Sequence, residues 1–159
     1  MPALGVPLYT ASKHAISGFV RSLAQLDEKE NIRVTAVAPG VVKTPLWLDH
    51  PEKLKVIDEK KDEWVTPDEV ALVMLALIQQ DEVSSAIIGD LSLTHENLPQ
   101  TISVHGGTIL EISKRIREVT PYSDPGPTGR TGNTISEMKV MDEEVVELLR
   151  AKDWGMGGS

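Results

Sequence analysis

The sequence predicts an α/β fold in which two or three strands form a parallel sheet with flanking helices, followed by a tail helix. Residues 10–29 carry apolar side chains at helical spacing. Residues 32–38 and 108–112 are short β-branched, apolar runs, the first of which stops at Pro39 and Gly40. Strands joined by a helical crossover within one sheet lie parallel. We therefore expect these two runs to be neighbouring parallel strands.

Composition excludes several kinds of site and partner. The formal net charge of the 159 residues is −8, so no basic patch for nucleic acid or an anionic membrane is expected. Cysteine is absent, which excludes a disulfide framework, a thiolate nucleophile and a Cys-based metal site. The four histidines share no ligand spacing, and we expect no metal. No apolar run reaches about 18 residues and no signal-peptide pattern opens the chain, so we expect a soluble, cytoplasmic protein.

The first helix is expected from about Thr10 to Lys29. Tyr9 and Lys13 are four residues apart, which places both side chains on one helical face, one turn apart. A tyrosine acts as an acid and base at neutral pH only if its pKa falls by roughly three units, about 4 kcal/mol, and a fixed cation supplies part of this. The alternative is an ordinary surface pair.

A second face of this helix carries small side chains at helical spacing, namely Ala11, Ala15, Gly18 and Ser22. Such a face lets another helix approach closely. That helix could belong to the same chain or to a second subunit, and both alternatives stay open at this point.

The strand at residues 32–38 ends at Pro39 and Gly40, since proline donates no ladder hydrogen bond and glycine lets the backbone pass close to a ligand. In open α/β sheets, ligands lie beyond the carboxyl ends of strands. Residues Pro39 to Thr44 therefore occupy a position suited to a cofactor, although a plain strand-to-loop turn would give the same pattern.

The middle of the chain combines an irregular segment with a well-marked helix. Residues 45–65 set apolar side chains among charges, which is typical either of a lid over a site or of the underside of a helical loop. A Thr66 N-cap, with Pro67 and Glu69 after it, predicts a helix that reaches Gln80. We expect a small strand at residues 86–88 and an extended piece at 101–104.

The chain ends in a connector and an amphipathic helix. Lys114, Arg115 and Arg117 indicate a solvated strand exit, and proline and glycine through residues 120–133 predict an extended connector. Residues 134–151 then predict the tail helix, and the serine/lysine spacing of Ser136 and Lys139 is explained by its start. We divide the chain into a domain at residues 1–113 and a connector with tail helix at 114–159.

Five stretches together resemble the short-chain dehydrogenase/reductase family. They are Tyr9 to Ala15, Val34 to Thr44, Thr66 to Ala71, Gly106 to Ile112 and Asp124 to Pro127, and the last three are similar to fungal hydroxyprostaglandin-dehydrogenase-like members. The resemblance implies the C-terminal half of a Rossmann-type domain. It also implies a small alcohol or ketone substrate, NAD or NADP as cofactor, and a homo-oligomer.

The resemblance further implies roles for six residues. Tyr9 would exchange a proton with the substrate oxygen, and Lys13 would hold the ribose hydroxyls and favour the phenolate. The backbone around Val42 and the Thr44 hydroxyl would meet the nicotinamide carboxamide. The implied catalytic residues are thus Tyr9 and Lys13, and the implied cofactor-binding residues are Tyr9, Lys13, Pro39, Gly40, Val42 and Thr44.

The family's other requirements do not occur in this sequence. It contains no glycine-rich turn after a first strand to hold a pyrophosphate, and no serine about a dozen residues ahead of Tyr9. We therefore expect an oxidoreductase that is N-terminally truncated here and inactive as this chain alone. The alternative is a non-catalytic interaction fragment that associates through the small-faced helix and the tail helix.

Overall fold

The computed structural model describes residues 5–55, 57–58, 61–88, 99–121 and 138–151. The chain divides into two compact units, residues 1–120 and 121–159. Residues 114–120 thus lie with the first unit, whereas the sequence assigns them to the connector. The division into functional domains stays a prediction.

The described elements of the first unit are five helices and seven short strands. The helices are α1 (Pro7–Ser22), α2 (Gln25–Glu30), α3 (Pro45–Leu48), α4 (Pro51–Leu54) and α5 (Pro67–Gln79). The strands are β1 (Ala36–Pro39), β2 (Val41–Val42), β3 (Trp64–Val65), β4 (Glu82–Ser84), β5 (Thr101–Ser103), β6 (Ile109–Ile112) and β7 (Ile116–Glu118).

The parallel pairing expected from the sequence is confirmed. Strand β1 pairs parallel with β6, from Ala36 opposite Ile109 to Pro39 opposite Ile112. Strand β7 pairs antiparallel with β6, which gives the order β1-β6-β7. The expected solvated exit after residue 112 is therefore only partly right: the chain turns back as a third strand because Ile116 is apolar and is buried in the core.

The single helix expected over Thr10 to Lys29 is wrong, since α1 ends at Ser22 and α2 begins at Gln25. The break lies where the loop before β6 meets the helix: a Cβ added to Gly106 would approach the Asp27 Cβ to 2.9 Å and the Ala24 carbonyl oxygen more closely still. The loop therefore packs directly on backbone at the break. Helix α2 ends at Glu30, and the φ of its C-cap residue Asn31, 55°, is left-handed.

Two small pairs of strands complete the first unit. Strand β2 pairs parallel with β3, and β4 pairs antiparallel with β5. The extended piece expected at residues 101–104 is thus confirmed over Thr101–Ser103. The strand expected at residues 86–88 is wrong: the strand lies at Glu82–Ser84, and the Ile87 N–H donates to the Ser84 carbonyl (3.1 Å) in a turn.

Helix α5 begins as expected, with a capping box. The Glu69 N–H donates to the Thr66 hydroxyl (3.2 Å), and the Thr66 N–H donates to the Glu69 carboxylate (2.6 Å). The helix buries one face against the sheet. The buried core contains Val65, Val73, Ala76, Leu77, Val83, Ile88, Val104, Leu110, Ile112 and Ile116.

The described part of the second unit is helix α6 (Met138–Arg150), which confirms the tail helix over these residues. The expected helix start at 134–137 and most of the connector lie outside the described residues. Along α6, the apolar side chains of Val140, Met141, Val145 and Leu148 are exposed. Among the residues that the structure describes, no helix is both long enough and apolar enough to cross a membrane.

Candidate active site

Tyr9 and Lys13 lie together on α1. The Lys13 ammonium nitrogen is 5.3 Å from the centroid of the Tyr9 ring. Pro7 stands at the helix start, and the Thr10 N–H donates to the Val6 carbonyl (3.0 Å), so regular helical backbone already sets the four-residue spacing here. The geometry is a cation over an aromatic face, which is attractive and keeps the charge beside the phenol.

The polar side chains next to this pair form hydrogen bonds to backbone carbonyls of α1. The Ser12 hydroxyl donates to the Tyr9 carbonyl (2.7 Å), and the Ser17 hydroxyl donates to the Lys13 carbonyl (3.2 Å). A ring nitrogen of His14 is 2.9 Å from the Thr10 carbonyl. In the part of the chain described, no hydrogen bond involves the Tyr9 hydroxyl or the Lys13 ammonium, so both remain available to a ligand.

The face of α1 that carries this pair changes from open to buried along the helix. Tyr9 is 61% exposed, whereas Val20, seven residues after Lys13 and on the same helical face, is 5% exposed. Ile16, which lies between them, is exposed. The C-terminal end of this face therefore packs on the protein, and its N-terminal end leaves space beside the phenol and the ammonium.

Two contacts hold α1 and α2 against the rest of the unit. The Arg21 guanidinium donates to the carbonyls of Val119 (2.9 Å) and Thr120 (3.3 Å), just after β7. The Gly106 N–H donates to the Asp27 carboxylate (2.6 Å). Sequence reasoning missed both contacts. The adjacent glycines before β6 could have predicted the contact of Gly106 with Asp27, because glycine lets another segment of backbone come close.

The segment from Pro39 to Thr44 turns at the carboxyl end of β1. The Gly40 N–H donates to the Ile112 carbonyl (2.8 Å), and the Lys43 N–H donates to the Val65 carbonyl (2.7 Å). A Cβ at Gly40 would lie 3.5 Å from the nearest atom, so the turn itself has room for alanine. The idea that Gly40 lets a ligand come close to the backbone stays a prediction.

Beyond this turn, residues 45–65 bring two tryptophans together. Thr44 precedes α3 and its carbonyl accepts from the Trp47 N–H (2.9 Å). The Trp47 and Trp64 rings meet edge to face, with centroids 6.2 Å apart and planes at 82°. Within the described residues, no group of three His, Cys, Asp or Glu side chains is arranged to hold a metal ion.

The predicted site residues thus fall into two groups. Tyr9 and Lys13 meet on α1, whereas Pro39, Gly40, Val42 and Thr44 follow β1 along one turn. No hydrogen bond or ion pair between described residues joins the first group to the second. The site assignment therefore remains a prediction.

Comparison with known proteins shows what this part of the chain is similar to. Residues 1–55, which include every predicted site residue, match the family model described as short chain dehydrogenase. The resemblance to the short-chain dehydrogenase/reductase family is thereby confirmed. The described α/β fold, with its parallel β1-β6 pair and C-terminal helix, is compatible with part of the family's Rossmann-type domain.

Several curated relatives match over roughly half of the chain. It is 36% identical to carbonyl reductase family member 4 of Danio rerio over 84 residues, which are 53% of this chain and 35% of that protein. It is 39% identical to the short-chain dehydrogenase/reductase homolog YusR of Bacillus subtilis over 82 residues, 50% of this chain and 63% of that protein.

A third relative is the rat 15-hydroxyprostaglandin dehydrogenase that uses NAD(+). The chain is 30% identical to it over 102 residues, 55% of this chain and 38% of that protein. The chain thus spans between about a third and two thirds of the length of these relatives. No solved structure matches. The finer likeness to fungal hydroxyprostaglandin-dehydrogenase-like members stays a prediction.

Proposed function

We propose that this chain carries the proton-transfer pair of an NAD(P)-dependent oxidoreductase of the short-chain dehydrogenase/reductase type. Its substrate would be a small alcohol or ketone, as the names of the carbonyl reductase and hydroxyprostaglandin dehydrogenase relatives suggest. The observation that carries the proposal is the 5.3 Å approach of the Lys13 ammonium to the Tyr9 ring, inside the stretch that matches the family.

The chemistry assigned to the pair follows from charge and position. The Tyr9 hydroxyl gives a proton to, or takes one from, the substrate oxygen. The family resemblance assigns Lys13 the support of this proton transfer, and its ammonium lies 5.3 Å from the centroid of the Tyr9 ring. Both side chains project from a regular helix into open space, where they can be oriented toward a substrate before reaction.

The residues present fit part of a dinucleotide. When bound, the nicotinamide would supply the hydride chemistry. Lys13 would hold the ribose, and Pro39, Gly40, Val42 and Thr44 would border the ring beyond the carboxyl end of β1. The sequence holds no GxxxGxG turn for the pyrophosphate, so we propose that residues outside this sequence complete the site in a longer, N-terminally extended protein.

We also propose that the protein is cytoplasmic and forms a homo-oligomer through α1. In support, the small side chains of Ala11, Ala15, Gly18 and Ser22 are all exposed in the single chain. A face of this kind allows close approach of another helix.

The test is the affinity of the chain for NAD(H) and NADP(H), measured by titration calorimetry up to millimolar cofactor. We expect weak binding that Lys13→Met reduces further, because that variant keeps the aliphatic stem and removes the charge. Lys29→Met, on α2, is the matched control and should bind as the parent does. Absence of binding would exclude independent enzymatic action and favour the interaction fragment.

A further inference from the structure

Trp64 carries a buried polar atom without a partner. Its indole N–H meets no hydrogen-bond acceptor, and no other buried side-chain polar atom of the described residues lacks one. An indole N–H is a donor only, and when buried it usually finds an acceptor. An unpaired buried donor in a native fold calls for an explanation, and one explanation is a ligand.

The position of Trp64 ties it to the turn after β1. In the β2-β3 pair, Trp64 lies opposite Val41, and the Lys43 N–H donates to the carbonyl of the next residue, Val65 (2.7 Å). Paired strands are about 4.8 Å apart. The unpaired indole therefore belongs to the strand directly beside residues 41–44, where the proposed function places the nicotinamide.

Trp47 extends the same region as an apolar wall. Trp47 lies in the first turn of α3, where its backbone N–H donates to the Thr44 carbonyl (2.9 Å). Its ring meets that of Trp64 edge to face, with the ring centroids 6.2 Å apart. The flanking side chains of Leu46 and Leu48 are exposed. Two large rings, two leucines and one unpaired donor thus border the proposed cofactor segment.

We infer that Trp47 and Trp64 bind the substrate, and that the Trp64 N–H donates to an oxygen of it. This inference rests on the proposed function for the site's location. The two rings favour an apolar ketone or alcohol. Such a substrate would carry two oxygens, one that exchanges a proton with Tyr9 and a second that accepts the hydrogen bond from the Trp64 N–H. Because the N–H is buried, a ligand reaches it only when a side chain that covers it moves.

The experiment follows the indole N–H resonances of the 159-residue chain by proton–nitrogen NMR. Single variants Trp47→Phe, Trp64→Phe and Trp154→Phe assign the three resonances. The probes are acetophenone, which has an apolar ring and a carbonyl acceptor, and ethylbenzene, which has nearly the same shape and no acceptor.

We expect acetophenone to shift the Trp64 resonance downfield and saturably, with a smaller shift of Trp47. Ethylbenzene should not move Trp64 downfield. In Trp64→Phe, acetophenone affinity read on Trp47 should fall about fivefold, the usual worth of one hydrogen bond.

Equal responses to both probes, or no response of Trp64, would overturn the inference and leave the pair as packing only. Solvent exchange of the Trp64 N–H as fast as that of an exposed indole would also overturn it. The titration of the parent chain needs no variant to fold. It also needs neither cofactor nor turnover, so its failure is distinguishable from a failure of the Tyr9 and Lys13 assignment.

Discussion

Replacing Gly106 by alanine tests how the helix that carries Tyr9 and Lys13 is held in place. A Cβ at this position would lie 2.9 Å from the Asp27 Cβ and closer still to the Ala24 carbonyl oxygen, and backbone there cannot rotate away. The Gly106 N–H also donates to the Asp27 carboxylate at 2.6 Å, so a displaced loop loses a charge-assisted hydrogen bond.

The magnitude follows from these two effects. Overpacking a tight contact costs about 1–3 kcal/mol, and losing a hydrogen bond to a charged group costs roughly 1.5–3 kcal/mol. The two effects share one contact and are not additive, so we expect about 3 kcal/mol. With a slope of roughly 1.5 kcal/mol/M, the urea midpoint should fall by about 2 M.

Two other glycines provide matched controls in the same urea assay. Gly40→Ala meets its nearest atom at 3.5 Å, an ordinary contact, and should change stability by less than about 0.5 kcal/mol. Gly18→Ala, in the open on α1 of the single chain, should stabilise the monomer by about 0.8 kcal/mol through helix propensity, measured at protein concentrations too low for association through α1. A midpoint for Gly106→Ala equal to that of Gly40→Ala would refute the close contact between the loop and the helix break.

Three further predictions concern the α5 start and the α1 surface. Hydrogen bonding from the Thr66 N–H, aided by Lys114, holds the pKa of Glu69 below its usual value, so its stabilisation is present above pH 4.5 and is lost as pH falls through the lowered pKa. Glu69→Gln should flatten the acid side of the stability–pH curve, and an unchanged slope would contradict this. Thr66→Ala should cost about 1 kcal/mol in urea unfolding and Thr66→Ser much less, whereas equal losses would contradict a hydroxyl cap. Ala15→Glu should lower the mass measured by light scattering, and an unchanged oligomer would place the interface elsewhere.

Local signals and a single long-range rule accounted for much of the fold. The helix cap at Thr66 depends only on residues 66–69, and it is present as predicted. The parallel pairing of β1 with β6 follows from the rule for helical crossovers, which needs only the two apolar runs. The tail helix follows from its amphipathic spacing over the described residues.

The errors occurred where distant residues decide local structure. Helix α1 ends at Ser22 although the apolar spacing continues, because the glycine loop before β6 packs on Ala24. Strand β4 forms at Glu82–Ser84 because β5 pairs with it, whereas the more apolar Ile88 enters the core from a turn. Neither partner can be found from spacing alone.

The candidate site divides in the same way. The four-residue spacing of Tyr9 and Lys13 predicted that their side chains lie close together, because a regular helix places residues i and i+4 on one face. Three other features depend on tertiary packing, and no sequence pattern predicted them. They are the open space beside this pair, the contact of Arg21 with Val119 and the unpaired N–H of Trp64.

The most direct measurement of the Tyr9 assignment is hydride transfer in a longer protein in which a dinucleotide-binding half precedes this chain, as the proposed function requires. We predict that Tyr9→Phe lowers kcat by about 10²–10⁴-fold while the Kd for cofactor stays the same. A Tyr9→Phe protein that turns over as fast as its parent would show that Tyr9 does not transfer the proton.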